Sequence, residues 1–211
     1  MTRCPRVLVD ITRPLSLRVA AWPGDPPLRL EPCRRVADGA STNLALLETG
    51  LHLGTHADTP LHLADGAPAT EWLVLDAFVG PARVVDASAP IEAAVVEGLG
   101  LRGGERVLFR TGQWENSGAF PYGFAAFTRE GAQALCDAGV RLVGIDVPSV
   151  DGWDAANAGN LAAHRAFFAS GVRFLESLDL RRAPPGDAKL LALPLAVEGA
   201  DAAPVRAALS R

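Results

Sequence analysis

Arg106-Val-Leu-Phe-Arg110, followed by Thr128-Arg-Glu-Gly-Ala-Gln-Ala-Leu-Cys-Asp-Ala138 and Arg141-Leu-Val-Gly-Ile-Asp-Val147, predicts a strand, a helix and a second strand. Each short β-branched run is typical of a buried strand. Thr128 can cap the N-terminus of the helix, and Gly139 can end it. A strand, a helix and a strand in this order form a βαβ unit, which predicts an α/β protein.

Further short apolar runs, each bounded by Gly, Pro or Asp, predict more strands and helices around this unit. Strands are predicted over Arg6–Ile11, Ala82–Asp86, Val172–Leu175 and Leu190–Val197, and helices over Ile91–Glu97 and Gly159–Ser170. Because the first 60 residues or so hold extended segments without an intervening helix, we expect a mixed sheet. The prolines and glycines are spread along the chain without a linker, so residues 1–211 are expected to form a single domain.

Composition restricts the partners that the chain can have. The formal net charge is −4 and no Lys/Arg cluster is typical of a nucleic-acid surface, so we expect no nucleic-acid partner. The N-terminus lacks a secretory signal, and no run reaches the roughly 18 apolar residues of a membrane span, which predicts a cytoplasmic protein without membrane association. The widely spaced Cys4, Cys33 and Cys136 indicate structural thiols rather than disulfides or a thiolate zinc site.

Three of the four histidines fall within eleven residues, in Leu51-His-Leu-Gly-Thr-His-Ala-Asp-Thr-Pro-Leu-His62. Histidines and the aspartate lie at even positions and the leucines at odd ones, so an extended chain would separate a ligand face from an apolar face. A straight strand would hold His52 and Asp58 about 20 Å apart, too far to share one ion. The segment is therefore expected to bend at Gly54 and Pro60, which also disfavour a helix.

The donor atoms of this segment suit a transition metal. Imidazole nitrogen and carboxylate oxygen from His52, His56 and Asp58 form a ligand set for Zn²⁺, and Mn²⁺ or Fe²⁺ accept the same donors. Three protein ligands leave the open coordination position that catalysis needs. His62 then remains free for proton transfer.

The fourth histidine, His164, precedes Glu176 by twelve residues and lies about a hundred residues beyond the cluster. If both side chains fold back onto the cluster, they complete a second metal position, with Asp58 bridging two ions. A helix-surface histidine and an exposed glutamate explain the same residues equally well. The sequence pattern leaves these two interpretations open.

The motif His52-x-Gly-Thr-His-x-Asp-x-Pro-x-His62 resembles the signature of the cyclase-like metal-dependent hydrolases, and most closely that of the bacterial kynurenine formamidases, or arylformamidases. Trp22-Pro-Gly-Asp-Pro26 is similar to the N-terminal element of that family, and Asp146-Val-Pro-Ser-Val-Asp151 is similar to its D-x-P-S-x-D stretch. His164 and Glu176 fall where its distal ligands do. The resemblance spans most of the chain.

The resemblance implies a cyclase-like fold of the swivelling β/β/α type, in which a mixed sheet forms a β-barrel-like core with flanking helices. It implies two zinc ions per subunit with five ligands: His52, His56, Asp58, His164 and Glu176. His62 would be the general acid/base, and Trp22 would contact the substrate. The implied activity of the homodimer is hydrolysis of N-formyl-L-kynurenine to L-kynurenine and formate in tryptophan degradation, with a metal-activated water as nucleophile.

The partner is therefore expected to be a small aromatic formamide. Trp22, Phe120, Tyr122 or Phe124 could stack on such a substrate, although packing in the core is the more common role for each of these aromatic residues, and only the motif favours Trp22. Aromatic residues alone thus do not define the pocket.

Alternative functions differ in substrate or in chemistry. Within the same family, the substrate could be another small amide or a cyclic amide such as isatin, because the ligand motif sets the reaction type and the pocket sets the substrate. A metal-binding module without turnover is a further alternative, which a non-ligating His62 disfavours. A serine hydrolase would need a Gly-x-Ser-x-Gly elbow, and no serine in the sequence has that context.

Overall fold

The computed structural model describes residues 8–88, 90–115, 117–153 and 159–211. Cys4 and the first two residues of the predicted strand Arg6–Ile11 lie outside the described residues. The helices and strands in chain order are β1 (Leu8–Asp10), β2 (Arg29–Arg34), β3 (Leu44–Glu48), β4 (His56–Asp58), α1 (Leu75–Phe78), β5 (Val79–Asp86), α2 (Ala93–Gly98), β6 (Arg106–Arg110), α3 (Arg129–Asp137), β7 (Leu142–Ile145), α4 (Ala162–Ser170), β8 (Arg173–Leu175), β9 (Gly186–Pro194) and β10 (Ala202–Ser210).

Eight of these strands form one mixed sheet, which curls into a half-barrel. Its order is β1-β10-β9-β5-β6-β7-β8, and β4 pairs with β10 beside this path. Strands β5 to β8 run parallel, whereas β9 and β10 pair antiparallel with their neighbours. Strands β2 and β3 form a separate antiparallel pair. The predicted α/β class, mixed sheet and barrel-like core are confirmed.

The predicted βαβ unit is present as β6, α3 and β7. The two strands pair in parallel, with Val107 opposite Val143. The Thr128 hydroxyl accepts a hydrogen bond from the Gly131 amide at 3.0 Å, which caps the first turn of α3. After α3, Gly139 has φ +67°, the left-handed conformation that ends a helix.

The core lies on both faces of the parallel strands. Along β6, Leu108 packs into the cluster inside the half-barrel, and Val107 and Phe109 pack into a second cluster with helices α2 to α4. Strand β6 is thus covered on both faces, which explains why its sequence is a continuous apolar run rather than an alternating one. The helices that cover the second cluster include α4, which carries His164.

Several element boundaries differ from those predicted. The helix predicted over Gly159–Ser170 begins at Ala162, and the helix predicted over Ile91–Glu97 begins at Ala93, because Ile91 forms a bridge with Phe127. The strand predicted over Leu190–Val197 is β9 and begins earlier, at Gly186. Strand β10 was not predicted, because its alanine-rich sequence with Pro204 lacks the β-branched run that marks a strand.

Within the described ranges, no helix is both long and apolar enough to cross a membrane.

Cys33 is an exposed free thiol on β2, whereas Cys136 is half-buried and packs against the second cluster. A structural role therefore fits Cys136 and not Cys33.

Candidate active site

The histidine-rich segment bends at Gly54, as its composition predicts. Gly54 has φ +68°, and a Cβ atom there would lie 2.7 Å from the carbonyl oxygen of Arg13, so this position requires glycine. The Thr55 hydroxyl accepts a hydrogen bond from the Arg13 amide (2.7 Å) and donates one to the Ser177 carbonyl (2.8 Å). These contacts hold the bend against two segments that are distant in sequence.

A second bend follows β4 and places His62. Residues Pro60–His62 form a short 3-10 helix, in which Pro60 is the first residue. Gly54 and Pro60 are expected to disfavour a helix, and the helix that forms here is only three residues long; Pro60 is tolerated at its start because proline lacks only a donor that the first turn does not use. The turn ends the extended stretch of β4.

Strand β4 separates ligand atoms from the core, as the alternation predicts. Ala57 packs inside the half-barrel, whereas His56 and Asp58 lie on the opposite side of the strand. The backbone of His56 also bridges to Glu176: the His56 amide donates to the Glu176 carbonyl (3.4 Å), and the Glu176 amide donates to the His56 carbonyl (3.1 Å). This pairing brings Glu176 to the cluster.

Helix α4 brings the fourth histidine. The Asp151 carboxylate accepts hydrogen bonds from the Ala163 amide (2.8 Å) and the His164 amide (3.1 Å) in the first turn of the helix. The same carboxylate lies 2.6 Å from His164 Nδ1. His164 Nε2 is thereby directed at Asp58 Oδ2, 3.2 Å away. His164 is buried, so the alternative of a helix-surface histidine is wrong.

Three of the predicted ligands, His52, His56 and His164, converge on a fourth, Asp58, and the fifth, Glu176, contacts two of these histidines. Oδ1 of Asp58 lies 3.1 Å from His52 Nδ1 and 3.3 Å from His56 Nε2, and Oδ2 faces His164. Glu176 lies between two histidines, with Oε2 3.1 Å from His56 Nε2 and Oε1 3.5 Å from His164 Nε2. Asp58 thus presents one oxygen to each half of the cluster, the arrangement expected of a carboxylate between two cations.

Each of the three buried or half-buried histidines has an acceptor on the nitrogen that faces away from Asp58. His56 Nδ1 lies 2.9 Å from the Gly54 carbonyl, His52 Nε2 lies 3.1 Å from Asp201 Oδ2, and His164 Nδ1 faces Asp151. A donor N–H at these nitrogens leaves the other ring nitrogen with its lone pair directed into the cluster, as metal-binding histidines require.

The cluster therefore fits a divalent cation. His56 Nε2 and Asp58 Oδ1 are buried without a hydrogen-bond partner among the described residues. Leaving such atoms unpaired costs free energy unless another group satisfies them. One donor atom each from His52, His56 and Asp58 lies within 4.8 Å of the others. Nitrogen and oxygen donors at this spacing suit zinc and related ions.

Charges inside the cluster shift the pKa values of its members. Burial disfavours a charged imidazole, but the Asp58 charge outweighs burial and raises the pKa of His52 to about 9 and that of His56 to about 10. For His164, burial is outweighed by the hydrogen bond to Asp151, and its pKa rises to about 10. Burial likewise opposes the charge of Asp58, yet His52 and His56 hold the pKa of Asp58 well below its usual range. The field that attracts protons here also attracts a divalent cation, which competes with them.

His62 lies at the mouth of the cluster. Its side chain is 32% exposed, and its Nδ1 lies 3.6 Å from Asp201 Oδ2. Its ring centroid is 4.3 Å from that of His52 and 5.9 Å from that of His164. One ring nitrogen of His62 lies within 4.8 Å of a donor atom of His52 and one of Asp201. Within the same distance, His62 also forms a group with donor atoms of Asp58 and His164. His62 is placed to reach a bound substrate, and its role as acid/base stays a prediction.

A cavity of about 480 Å³ opens over the cluster. Trp22, 38% exposed, lines it and contacts the rings of Phe120 (5.3 Å between centroids) and Trp153 (5.2 Å). Phe120 also lines the cavity. Phe124 is buried behind these rings, and Tyr122 is 67% exposed on the outer side, so neither is among the described lining residues. Of the four candidate aromatic residues, Trp22 and Phe120 therefore form the wall.

Residues 9–152 match the model of the Cyclase family, described as "Putative cyclase". The chain belongs to this family. A curated kynurenine formamidase of Salinibacter ruber is 44% identical over 207 residues, which cover 96% of this chain and 96% of the relative. The resemblance found from the motif is confirmed.

Solved structures extend the cyclase-family comparison. A protein from Bacillus stearothermophilus, titled as a predicted metal-dependent hydrolase, has a TM-score of 0.81 and 27% identity and covers 98% of this chain and 99% of its own. Isatin hydrolase A from Ralstonia solanacearum has a TM-score of 0.79 and 25% identity over 97% of this chain and 92% of its own. The cyclase-like fold is thus shared along nearly the whole chain.

This cyclase-family site also contains residues that sequence reasoning missed. The sequence did not assign a role to Asp151, although this residue belongs to the motif Asp146-Val-Pro-Ser-Val-Asp151. Asp201 lies between β9 and β10, in a stretch without any motif. Trp114 lines the cavity, and the guanidinium carbon of Arg13 lies 3.8 Å from the centroid of the Trp114 ring. Of these three residues, only Asp151 could have been found from the sequence, through its motif, because Asp201 and Trp114 reach the site from distant segments.

Proposed function

We propose that the protein hydrolyses N-formyl-L-kynurenine to L-kynurenine and formate. The observation that carries the proposal is a cluster of five nitrogen- and oxygen-donor side chains, His52, His56, Asp58, His164 and Glu176, beneath a cavity walled by Trp22 and Phe120. The kynurenine formamidase of Salinibacter ruber, 44% identical along nearly the whole chain, supports the same substrate. Residues 1–211 are proposed to act as one domain in a cytoplasmic homodimer.

The metal site is proposed to hold two Zn²⁺ ions, and Mn²⁺ or Fe²⁺ suit the same donors. His52, His56 and Asp58 would hold one ion, and Asp58, His164 and Glu176 the other. A bound cation of this kind lowers the pKa of a coordinated water and polarises a carbonyl oxygen. The protein's own contribution is to hold the ligands in place through Gly54, Asp151 and Asp201, so that no reorganisation is needed during the reaction.

The hydrolysed bond is the amide bond between the formyl carbon and the aniline nitrogen. When it breaks, the nitrogen needs a proton to leave as a neutral amine. His62 is proposed to donate this proton, because imidazole transfers protons near neutral pH and the side chain lies at the cavity mouth. The ring of the substrate would pack against Trp22 and Phe120, and a volume of about 480 Å³ suits a ligand of this size.

Hydrolysis of N-formyl-L-kynurenine by the purified protein, followed by absorbance, tests the proposal. The assay is run on the protein as purified, after chelation and after addition of Zn²⁺. Turnover that is lost on chelation and restored by the ion supports the proposal. His62→Gln with full metal content serves as the matched control for a contaminating enzyme, since the variant should be inactive.

Isatin is the second candidate substrate, since isatin hydrolase A from Ralstonia solanacearum has the same fold with 25% identity. A cyclic amide contains the same type of carbon–nitrogen bond, and its nitrogen would also need a proton when that bond breaks. Isatin hydrolysis without N-formyl-L-kynurenine hydrolysis in the metal-loaded protein would replace the first candidate by the second. If a metal-loaded sample hydrolysed neither compound, a metal-binding module would be favoured.

A further inference from the structure

One carboxylate at the site contacts two histidines through the same oxygen atom. Asp201 Oδ2 lies 3.1 Å from His52 Nε2 and 3.6 Å from His62 Nδ1. The contact with His52 is short enough for a hydrogen bond. The contact with His62 is slightly longer than a hydrogen bond and is an ion-pair contact. Asp201 thus faces one proposed metal ligand and the proposed acid/base at once.

The backbone holds Asp201 firmly in this place. Its carbonyl accepts hydrogen bonds from both the amide and the hydroxyl of Thr59, each at 2.9 Å. The next residue, Ala202, pairs with Asp58 in the β10–β4 ladder. The backbone of Asp201 is therefore fixed next to Asp58 and Thr59, although the side chain itself is partly exposed.

The contact with His52 determines which of its nitrogens can bind a metal. With Nε2 carrying the proton that Asp201 accepts, Nδ1 keeps its lone pair and points at Asp58 Oδ1, 3.1 Å away. A histidine that lost this acceptor could rotate or change its tautomer, and either change removes the lone pair from the cluster.

The contact with His62 orients the other ring. An acceptor on the Nδ1 side leaves Nε2 of His62 as the nitrogen that can give a proton to a substrate, and it limits rotation of a side chain that is otherwise exposed.

We infer that Asp201 is a positioning residue that couples the two functions of the site, holding His52 for the metal and His62 for the proton transfer. The inference rests on the proposed function for the role of His62, but its contact with His52 is independent of the substrate. Asp201 acts through these histidines and need not touch the reacting atoms.

The test compares Asp201→Ala and Asp201→Asn with a matched control, Glu198→Gln. Glu198 is exposed in the same connection between β9 and β10, so the control removes an equal charge from the same loop. Asp201→Asn keeps an oxygen that can accept a hydrogen bond but removes the charge, and it also serves if the alanine variant folds poorly. Zn²⁺ affinity is measured by competition with a chromophoric chelator, and kcat and KM with N-formyl-L-kynurenine at saturating Zn²⁺.

We expect Asp201→Ala to weaken Zn²⁺ binding and lower kcat by about 10- to 100-fold each, with little change in KM and no change in the number of ions bound at saturation. Asp201→Asn should lie between the wild type and Asp201→Ala. Glu198→Gln should match the wild type. A higher KM with unchanged kcat would instead make Asp201 a substrate-binding residue, and loss of one ion at saturation would make it a ligand; either result overturns the inference.

A spectroscopic measurement separates this inference from the proposed function. The protein has four histidines, so ring ¹⁵N signals of histidine-labelled, Zn²⁺-loaded protein can be assigned with single variants. Asp201→Ala should shift the signals of His52 and His62 and leave those of His56 and His164 in place. Unchanged His52 and His62 signals would overturn the inference. If the wild type fails to hydrolyse N-formyl-L-kynurenine but these signals and the Zn²⁺ affinity change, only the proposed function fails.

Discussion

Replacing Asp151 by asparagine tests how the structure controls the tautomer of His164. The carboxylate accepts three hydrogen bonds, from the amides of Ala163 and His164 and from His164 Nδ1. An asparagine of the same shape has one oxygen and one NH₂ group, so at least one of the three donors must face another donor. If the NH₂ group faces Nδ1, the imidazole carries its proton on Nε2, where Asp58 Oδ2 lies 3.2 Å away. That nitrogen can then no longer bind a metal.

The expected loss in the free energy of unfolding follows from the hydrogen bonds that Asp151→Asn breaks. One hydrogen bond to a charged group contributes about 1.5–3 kcal/mol, and a buried unpaired donor costs about 1–3 kcal/mol. We expect Asp151→Asn to lower the free energy of unfolding by about 2–4 kcal/mol, which leaves a protein of ordinary stability folded. For a chain of this length, Tm should fall by roughly 5–15 °C. Metal affinity should fall by about 10- to 100-fold, as for other residues that orient metal ligands.

Asp146→Asn is the matched control in the same motif. Asp146 is also buried and accepts hydrogen bonds from the Thr111 amide (2.9 Å), the Thr111 hydroxyl (2.6 Å) and the Gly112 amide (2.9 Å), away from the metal cluster. It should lose comparable stability with unchanged metal affinity. Thermal unfolding and chelator competition measure both quantities. Wild-type metal affinity in Asp151→Asn, or an equal loss of affinity in both variants, would refute the tautomer argument.

Three further variants probe the segment between residues 54 and 62. His62→Gln should lower kcat by about 10²- to 10⁴-fold with unchanged metal content by elemental analysis, and loss of metal would place His62 among the ligands. Asp58→Ala should release both ions, since its two oxygens face different halves of the cluster; one retained ion would contradict the bridging role. Gly54→Ala should cost about 1–3 kcal/mol in denaturant unfolding, because φ is +68° and the Cβ would approach Arg13; an unchanged midpoint would count against this strain.

The local part of the structure was predictable from the sequence. The βαβ unit follows from apolar runs and from the Thr128 cap, because strand burial and helix capping depend on residues close together in the chain. The division of β4 into a ligand face and a core face follows from the alternation of side chains, with Ala57 in the core and Asp58 in the cluster. The bend at Gly54 follows from the freedom of glycine in φ.

The remainder depends on contacts between distant segments. Glu176 reaches His56 through a backbone bridge across 120 residues, and Asp201 reaches His52 across 149 residues. Strand β10 carries no β-branched run and exists because β1, β4 and β9 pair with it. Hydrogen bonds of this kind form only when the chain has folded, and a local pattern of residue types contains no information about which distant acceptor a histidine will find.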